Sequence, residues 1–471
     1  MIIDRHKTAM TRYQMSKPIS MALQHSIIQP GFSVFDYGCG KGRDVEELSK
    51  LGYEVTGFDP VYSNNTIKNE ADIINLGYVI NVIEHIDERN QILKEAYELT
   101  KHCLIVSAQV LPDNQKSKGT PYLDGILTTQ NTFQRYYEQN ELKEYIRTIL
   151  NREPVAASPG IFYIFKNDID KDSFISERFN RKYIAQPRSL VSLEEKLQKY
   201  KPILLDLANL IGNIGRIPKN DEIPFIDEIR KIGGLKKSIQ YCENIFDNFD
   251  LESIQKDKKN NILVFLALSN FAENIIFNNL PVTIKRDIKF FFNTFKEAND
   301  LALDLLYAVG DFKVIDEACK KSKIGKLLPD SLYVHTSYID SLSPILRIFI
   351  GCGTVFAGDF SDATLVKINR SKSKLSYLYY TDFDNEPHPK LLKSIVLDLS
   401  KLKMSEWDYS TRDNKPILHR KETFVGEDYH LYQQFKELTE TEERAGLYKT
   451  TNNIGYEKEW HLLLKTKNEG V

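Results

Sequence analysis

Asp36 ends the short apolar run Val34-Phe35 and is followed at once by Tyr37-Gly38-Cys39-Gly40-Lys41-Gly42-Arg43-Asp44. Glycines at alternate positions let a backbone come close to a ligand where a Cβ would clash, and Asp44-Val45-Glu46-Glu47-Leu48 reads as the first turns of a helix. A second apolar run, Tyr53 to Phe58, ends on Asp59, at the separation expected of an acid that takes ribose hydroxyls. Carboxylate, glycine turn, helix and second carboxylate together predict a pocket for a nucleotide-type ligand; the plain alternative is a glycine-rich turn without one. A dinucleotide fingerprint requires G-x-G-x-x-G, and Arg43 occupies its third glycine position.

The spacing present, G-x-G-x-G behind Asp36, resembles motif I of the class I S-adenosylmethionine (SAM) methyltransferases. That resemblance implies SAM as cofactor, with Asp36 helping to hold the methionine ammonium, Tyr37, Gly38, Gly40 and Gly42 passing under the ligand, and Asp59 on the ribose. Asp59-Pro60-Val61-Tyr62 looks like the D-P-P-Y motif of amino-methyltransferases but follows the second strand, where the ribose acid belongs. The matching place holds Asn75-Leu76-Gly77-Tyr78 without prolines. Asn75 and Tyr78 are therefore the catalytic candidates, one accepting an amino proton and one stacking on a base, with Asn75 also a cofactor contact; ordinary pocket lining is the alternative. The Pro-Cys pair of cytosine C5 methylation is missing from this region.

The elements that must carry these residues alternate as α/β. Asp72–Leu76 reads as a central strand, 77–86 as a turn and short helix holding His85, 87–101 as an amphipathic helix, and 103–107 as a buried strand. Only about a dozen residues separate Asp59 from the central strand, too few for a helix and a third strand, so the domain is expected to be trimmed there. Residues 109–131, with Lys116 and Lys118, form a candidate lid; a helical segment to about Leu150 and a hairpin turning at Ser158-Pro159-Gly160 close the core. The N-terminal arm carries Arg5, Lys7 and Arg12 and is either a solvated segment or a cover for the pocket.

The 471-residue chain, 42% hydrophobic and with a net charge of −2, has the size of two to four domains and no overall bias toward polyanions. Its five cysteines are scattered and show no Cys/His cluster, so neither zinc nor disulfides are expected. No apolar run reaches membrane-spanning length and no signal peptide opens the chain, which makes a cytoplasmic location, with no membrane partner, the expectation.

The predicted architecture is a trimmed Rossmann-like methyltransferase domain over 1–168, a helical domain over 189–326 and a mixed α/β domain over 329–471. Apolar residues at helical period, such as Leu190, Leu193 and Leu197, mark the second. Within it, Ile214-Gly215-Arg216-Ile217-Pro218 leads to Gly233-Gly234-Leu235-Lys236-Lys237, which looks like the small helix-turn-helix repeats beside homing endonucleases. Arg216, Lys236 and Lys237 would then meet phosphates; a plain helical hairpin is the alternative. Lys367, Arg370, Lys372 and Lys374 lie near three tyrosines and would either follow a nucleic-acid backbone or protect an edge strand. His419-Arg420-Lys421-Glu422 is either an anion-binding or catalytic tetrad or a set of structural ion pairs.

The whole chain resembles the DNA phosphorothioation-associated methyltransferases. The resemblance is carried by Arg5-His6-Lys7-Thr8-Ala9 with Ser16 and Pro18, Phe35 to Gly40, Asn75-Leu76-Gly77 with Asn81-Val82-Ile83-Glu84, Asn131-Thr132-Phe133-Gln134 and Pro159-Gly160-Ile161-Phe162. It continues through Leu332-Tyr333-Val334-His335, Ser376-Tyr377-Leu378, Asp382-Phe383-Asp384, Pro387-His388-Pro389 and Ile417 to Val425. It implies an association with sulfur-modified DNA by neighbourhood and not by substrate, and the expected partners are nucleic acid (DNA) and the components of a DNA modification, restriction or antiviral defence system. Three functions follow as expectations: a nucleic-acid methyltransferase, a methyltransferase for a small molecule or protein, and a DNA-binding module whose SAM pocket senses the cofactor without transfer.

Overall fold

A computed structural model describes residues 3–64, 67–112, 115, 119–179, 199–272, 276–449 and 454–468. Of the residues read above, Lys116, Lys118 and the stretch 189–198 with Leu190, Leu193 and Leu197 lie outside them.

The N-terminal sheet is built from β1 (Ser33–Tyr37), β2 (Glu54–Phe58), β3 (Ala71–Gly77) and β4 (Thr100–Ser107), then β8 (Val155–Ser158) and β9 (Ile161–Phe165). Its order is β2-β1-β3-β4-β9-β8. The pairs of β1 with β2 and β3, and of β3 with β4, are parallel, while β9 runs antiparallel to both neighbours. This is the trimmed Rossmann-like sheet with its closing hairpin, and among the described residues no strand falls between Asp59 and Ala71. The chain leaves β1 for one side, then crosses back to the other for β3, so a topological switch point opens beyond the C-terminal end of β1. Helices α1 (Lys17–Gln24), α2 (Arg43–Lys50), α3 (Ile86–Glu98) and α4 (Gln139–Leu150) accompany the sheet. The core between the layers is apolar and fully buried at Phe35, Ile74, Leu93, Leu104, Leu142 and Phe162.

Two expectations are corrected here. Residues 78–85 form no helix: Ile80 and Ile83 are buried, and the carbonyl of Asn81 accepts the amide of Arg135 at 2.7 Å instead of a helical partner. His85 is consequently the exposed residue before α3, its side chain 67% accessible, and not a histidine on an apolar helix. The candidate lid contains β5 (Thr120–Tyr122) and β6 (Gly125–Leu127), which form a small antiparallel sheet with β7 (Phe133–Gln134) just beyond it. The buried Arg89 of α3 ties that sheet down through Asp124 at 2.6 Å.

The chain forms two compact units, one of residues 1–170 with 311–471 and one of 171–310. In the first, a C-terminal antiparallel sheet runs in the order β10-β11-β12-β13-β14-β15: Lys326–Leu327, Ser331–His335, Leu365–Asn369, Lys374–Tyr380, Leu391–Asp398 and Lys403–Asp408. The helix Pro344–Ala357 packs against β8 of the N-terminal sheet. At its end the Asp359 amide donates to the Ala157 carbonyl at 2.8 Å, and Gln139 Nε2 donates to the Phe356 carbonyl at 3.4 Å. The two sheets, read from sequence as separate domains, therefore share one unit, to which residues 311–326 also belong. The second unit is helical, as expected, with Leu204, Leu207, Ile211, Ile229, Cys242 and Phe246 in its core. Among the described residues no helix is long and apolar enough to cross a membrane.

The joint between the sheets sets a test. Gly358 has φ +93°, and a Cβ there would lie 2.3 Å from the Ser158 nitrogen. Gly358→Ala is expected to destabilise the unit by about 1–3 kcal/mol through overpacking and backbone strain. Chemical denaturation would show a lowered midpoint; an unchanged midpoint would refute the joint.

Candidate functional site

The switch point holds a cavity of about 450 Å³. Asp36, Tyr37, Gly38, Gly40, Asp59, Asn75 and Tyr78 all line it, so seven of the eight pocket residues read from sequence converge. Gly42 stands one step away in left-handed conformation, where it caps α2. The turn is tight because Gly38 sits at φ +88°, where an added Cβ would meet Val79 Cγ2 at 2.3 Å.

Asp36 and Asn75 are register partners on adjacent parallel strands, which brings their side chains together. Asn75 Nδ2 donates to Asp36 Oδ1 at 2.8 Å in a buried contact. The remaining amide oxygen, Asn75 Oδ1, is shut off from solvent and has no hydrogen-bond partner. Burial pushes the Asp36 carboxyl up to about 7, with the neighbouring Asp44 adding to the effect. A buried carboxylate beside an orphaned acceptor is a seat for a donor that carries positive charge.

Asp44 lies buried in the first turn of α2, where it accepts the Ser16 amide at 2.6 Å and approaches Arg12 at 3.5 Å. The helix end that would bind a phosphate thus already carries a carboxylate. Asp59 accepts the amides of Gly40 at 3.1 Å, Val61 at 2.9 Å and Tyr62 at 3.0 Å. It therefore pins the loop after β2 to the glycine turn and retains acceptor capacity for one further donor. Three carboxylates around one turn repel a pyrophosphate and attract a cation.

Sequence reasoning missed the opposite wall. Lys68 Nζ binds the Tyr37 hydroxyl at 2.6 Å and Glu95 at 2.8 Å, and Tyr37 donates to Glu95 at 2.9 Å. Lys68 and Glu95 lie 31 and 58 positions from Tyr37, and no local pattern links them. The N-terminal arm forms the roof, since Arg5, His6, Thr8, Ala9, Met10 and Arg12 all line the cavity. Its charge is not free: Arg5 pairs with Glu84 at 2.8 Å and Glu88 at 2.6 Å, which fastens the arm to the start of α3. Lys41 donates to Thr11 at 2.7 Å and Arg43 to the Tyr13 carbonyl at 2.8 Å, so the glycine turn holds the arm from the other side.

A second cavity of about 930 Å³ shares Thr8, Met10, Arg12, Tyr78 and Val82 with the first. Five side-chain amides line it, Gln14, Asn81, Gln109, Gln130 and Gln134, with Tyr13, Tyr78 and Tyr136. Its lining includes Lys7, Arg12 and Lys17 and no carboxylate. Asn81 Oδ1 is a second buried acceptor without a partner. Tyr78 lines both cavities from a left-handed backbone at φ +60°, its amide donating to the Ser107 carbonyl at 2.9 Å.

Several sites read from sequence are corrected. Arg216 is 4% exposed and donates to Glu222 at 2.7 and 2.8 Å and to Asp287 at 3.1 Å, so it cannot reach a phosphate. Lys258 and Arg286 complete the network, which also holds Glu222 well below the usual carboxylate range, chiefly through Arg216. Lys236 and Lys237 are exposed on the first turn of the helix Leu235–Ile245, which follows Ile226–Ile232 across the Gly233-Gly234 turn. Arg370 locks to Asp316 at 2.6 Å and to the carbonyls of Leu328 and Pro329, while Lys367 and Lys374 face Asp330 and Asp398 at 3.7 and 3.4 Å. Lys372 is exposed.

The run His419-Arg420-Lys421-Glu422 is not one site either. His419 Nε2 meets the Ile454 carbonyl at 2.7 Å, Arg420 pairs with Glu443 at 2.8 Å, and Glu422 accepts from Thr439 at 2.8 Å. Lys421 is buried on the carbonyls of Phe383 and Glu386 at 2.7 Å, and burial lowers its ammonium to about 8.

Residues 8–148 match the family described as "Methyltransferase domain". No curated protein matches the chain. Among solved structures, it is similar to 1,6-didemethyltoxoflavin-N1-methyltransferase of Burkholderia thailandensis, at 18% identity over 32% of this chain and 78% of that one, TM-score 0.25. A SAM-dependent methyltransferase of Methanosarcina mazei overlaps at 18% identity over 30% and 94%, TM-score 0.24. The CcbJ methyltransferase of Streptomyces caelestis overlaps at 13% over 35% and 94%, TM-score 0.25. Overlaps of this extent carry no argument alone; the family match and the sheet order identify the N-terminal part as a methyltransferase domain of class I fold.

The Arg216 network yields a clean contrast. Arg216→Ala leaves buried carboxylates unpaired and is expected to cost about 3–5 kcal/mol, whereas Lys236→Ala should stay within about 0.5 kcal/mol. Urea unfolding followed by circular dichroism would check both, and equal effects would contradict the assignment.

Proposed function

We propose that the chain is a SAM-dependent methyltransferase whose acceptor is nucleic acid. The observation that carries the cofactor reading is the buried Asp36–Asn75 pair in a cavity at the switch point. The residues fit the group. An ammonium would satisfy both the Asp36 carboxylate and the orphaned Asn75 Oδ1, and the remaining acceptor capacity of Asp59 suits a ribose hydroxyl. When bound, SAM supplies an electrophilic methyl group on a sulfonium.

This chain's own part is positioning and exclusion of water. The arm, held by Arg5 on Glu84 and Glu88, covers the cavity and keeps solvent from the reacting centre. Tyr78 touches both cavities and is placed to stack on a planar acceptor, its hydroxyl kept neutral by burial. Asn75, committed to Asp36 through Nδ2, serves the cofactor first.

The second cavity supports a nucleic-acid acceptor. Paired amide donors and acceptors suit base edges, and a lining with Lys7, Arg12 and Lys17 but no carboxylate suits a phosphate chain, although Lys7 and Arg12 also reach Asp4 and Asp44. Lys236, Lys237 and Lys372 are the exposed cations left for backbone contacts, since Arg216 and Arg370 are taken up by carboxylates. The resemblance carried by the blocks from Arg5 to Val425 is the ground on which we assign this activity to DNA phosphorothioate modification or defence.

Two experiments test the proposal. Protonation of Asp36 removes the ligand's counter-charge, so SAM affinity should fall as pH drops through about 7. Calorimetry should find binding about fivefold weaker at pH 6 than at pH 7, a window in which the ligand's own ammonium stays charged, and Asp36→Asn should abolish that dependence. A flat profile in the wild type would sink the cofactor seat. Labelled methyl transfer from SAM to duplex DNA, single-stranded DNA, RNA and a small-molecule extract should mark nucleic acid, with Asp36→Asn inactive; label in small molecules alone would overturn the acceptor.

A further inference from the structure

Far from the methyltransferase cavity in sequence, His388, His419 and Glu442 meet in the C-terminal part of the first unit. Their ligand-type atoms lie within 4.8 Å of one another. His388 comes from the loop between β13 and β14, His419 follows the buried pair Ile417-Leu418, and Glu442 lies on the helix Tyr432–Arg444.

The hydrogen bonds decide the tautomers. His419 Nε2 is 2.7 Å from the Ile454 carbonyl, which can only accept, so the proton is on Nε2 and Nδ1 carries the lone pair. That Nδ1 is shut off from solvent and has no partner. His388 Nδ1 is 3.3 Å from the Leu418 carbonyl, which assigns the proton to Nδ1 and directs Nε2 at Glu442 Oε1, 2.8 Å away. Two acceptors at that distance need a proton or a metal ion between them. The other Glu442 oxygen accepts the Tyr448 hydroxyl at 2.5 Å. Imidazoles whose second nitrogen is fixed on a carbonyl, beside a carboxylate that is itself hydrogen-bonded, have the outer-shell pattern of metal ligands.

We propose that His388 Nε2, His419 Nδ1 and Glu442 Oε1 bind one zinc ion, with a fourth position for water. Two neutral imidazoles and one carboxylate form a donor set that zinc takes tetrahedrally. Bonds of about 2.0–2.2 Å put ligand atoms about 3.3–3.5 Å apart, between the 2.8 and 4.8 Å spans found here, so side-chain adjustments of about an ångström close the site. The ion has a structural purpose. Among the described residues the surrounding cluster has Ile417, Leu447 and Trp460 as its buried members, with Tyr448, Ile454, Leu463 and Leu464 packed against them and the Trp460 ring 4.4 Å from His419 and 4.7 Å from His388. A metal joining the loop, the segment after Leu418 and the helix would staple three elements around this small apolar cluster.

The full chain, stripped with a chelator and titrated with Co²⁺, should develop the visible absorption of a tetrahedral site at one equivalent, and Zn²⁺ should displace it. Zinc should also raise the thermal midpoint by several degrees. His419→Ala and the near-isosteric Glu442→Gln should each abolish the band, while His430→Ala should keep it. A wild-type chain with no stoichiometric band, or a band that persists in Glu442→Gln, overturns the proposal. Because the wild-type titration decides by itself, a variant that fails to fold does not shelter it.

Discussion

The N-terminal domain depends on one electrostatic constraint: Asp36 is a carboxylate buried at the end of a central strand, with Asn75 on one of its oxygens and Asp44 and Asp59 nearby. Such a group is costly when ionised and unpaired, which is why burial pushes its value toward neutrality. The cost is tolerable in a protein that meets a cation at that place. The parallel register that sets Asp36 opposite Asn75 and Gly57 follows from the switch in strand order, so topology and charge are a single device.

From that seat the other parts acquire their purpose. The glycine turn lets the backbone pass under the ligand, Asp59 clamps the turn to the loop after β2, and the Tyr37–Lys68–Glu95 network stiffens the far wall. The arm could not be a free cover. Arg5 between Glu84 and Glu88, with the contacts from Lys41 and Arg43, makes it a roof fastened at several points, each partly exposed and individually weak. Opening therefore requires breaking small contacts one at a time, which suits a site that must exchange its ligand.

Elsewhere charge serves structure. Arg216, Glu222, Asp287 and Lys258 form a buried network in the helical unit, and Arg370 clamps Asp316 and two carbonyls in the other. Such networks add little net stability over apolar packing but punish the loss of any member, because a buried charge is then left without its partner.

The sequence by itself determined what is local. Strand, glycine turn, helix and second acid lie within one short window, and the missing third strand follows from counting the residues between Asp59 and Ala71. Their chemistry depends on neighbours along the chain, so residue type and spacing suffice. Only the tertiary structure decided which distant side chains neutralise or complete them. Arg216 reads as a phosphate ligand until Asp287, 71 positions away, is found against it. The short run 78–85 reads as a helix until the Asn81 carbonyl is seen bonded to Arg135. His388, His419 and Glu442 carry no spacing that a pattern could register. The physical reason is the same in each case: a charge or a lone pair is specified by its own residue, but its energy is set by whatever the fold brings within a few ångströms.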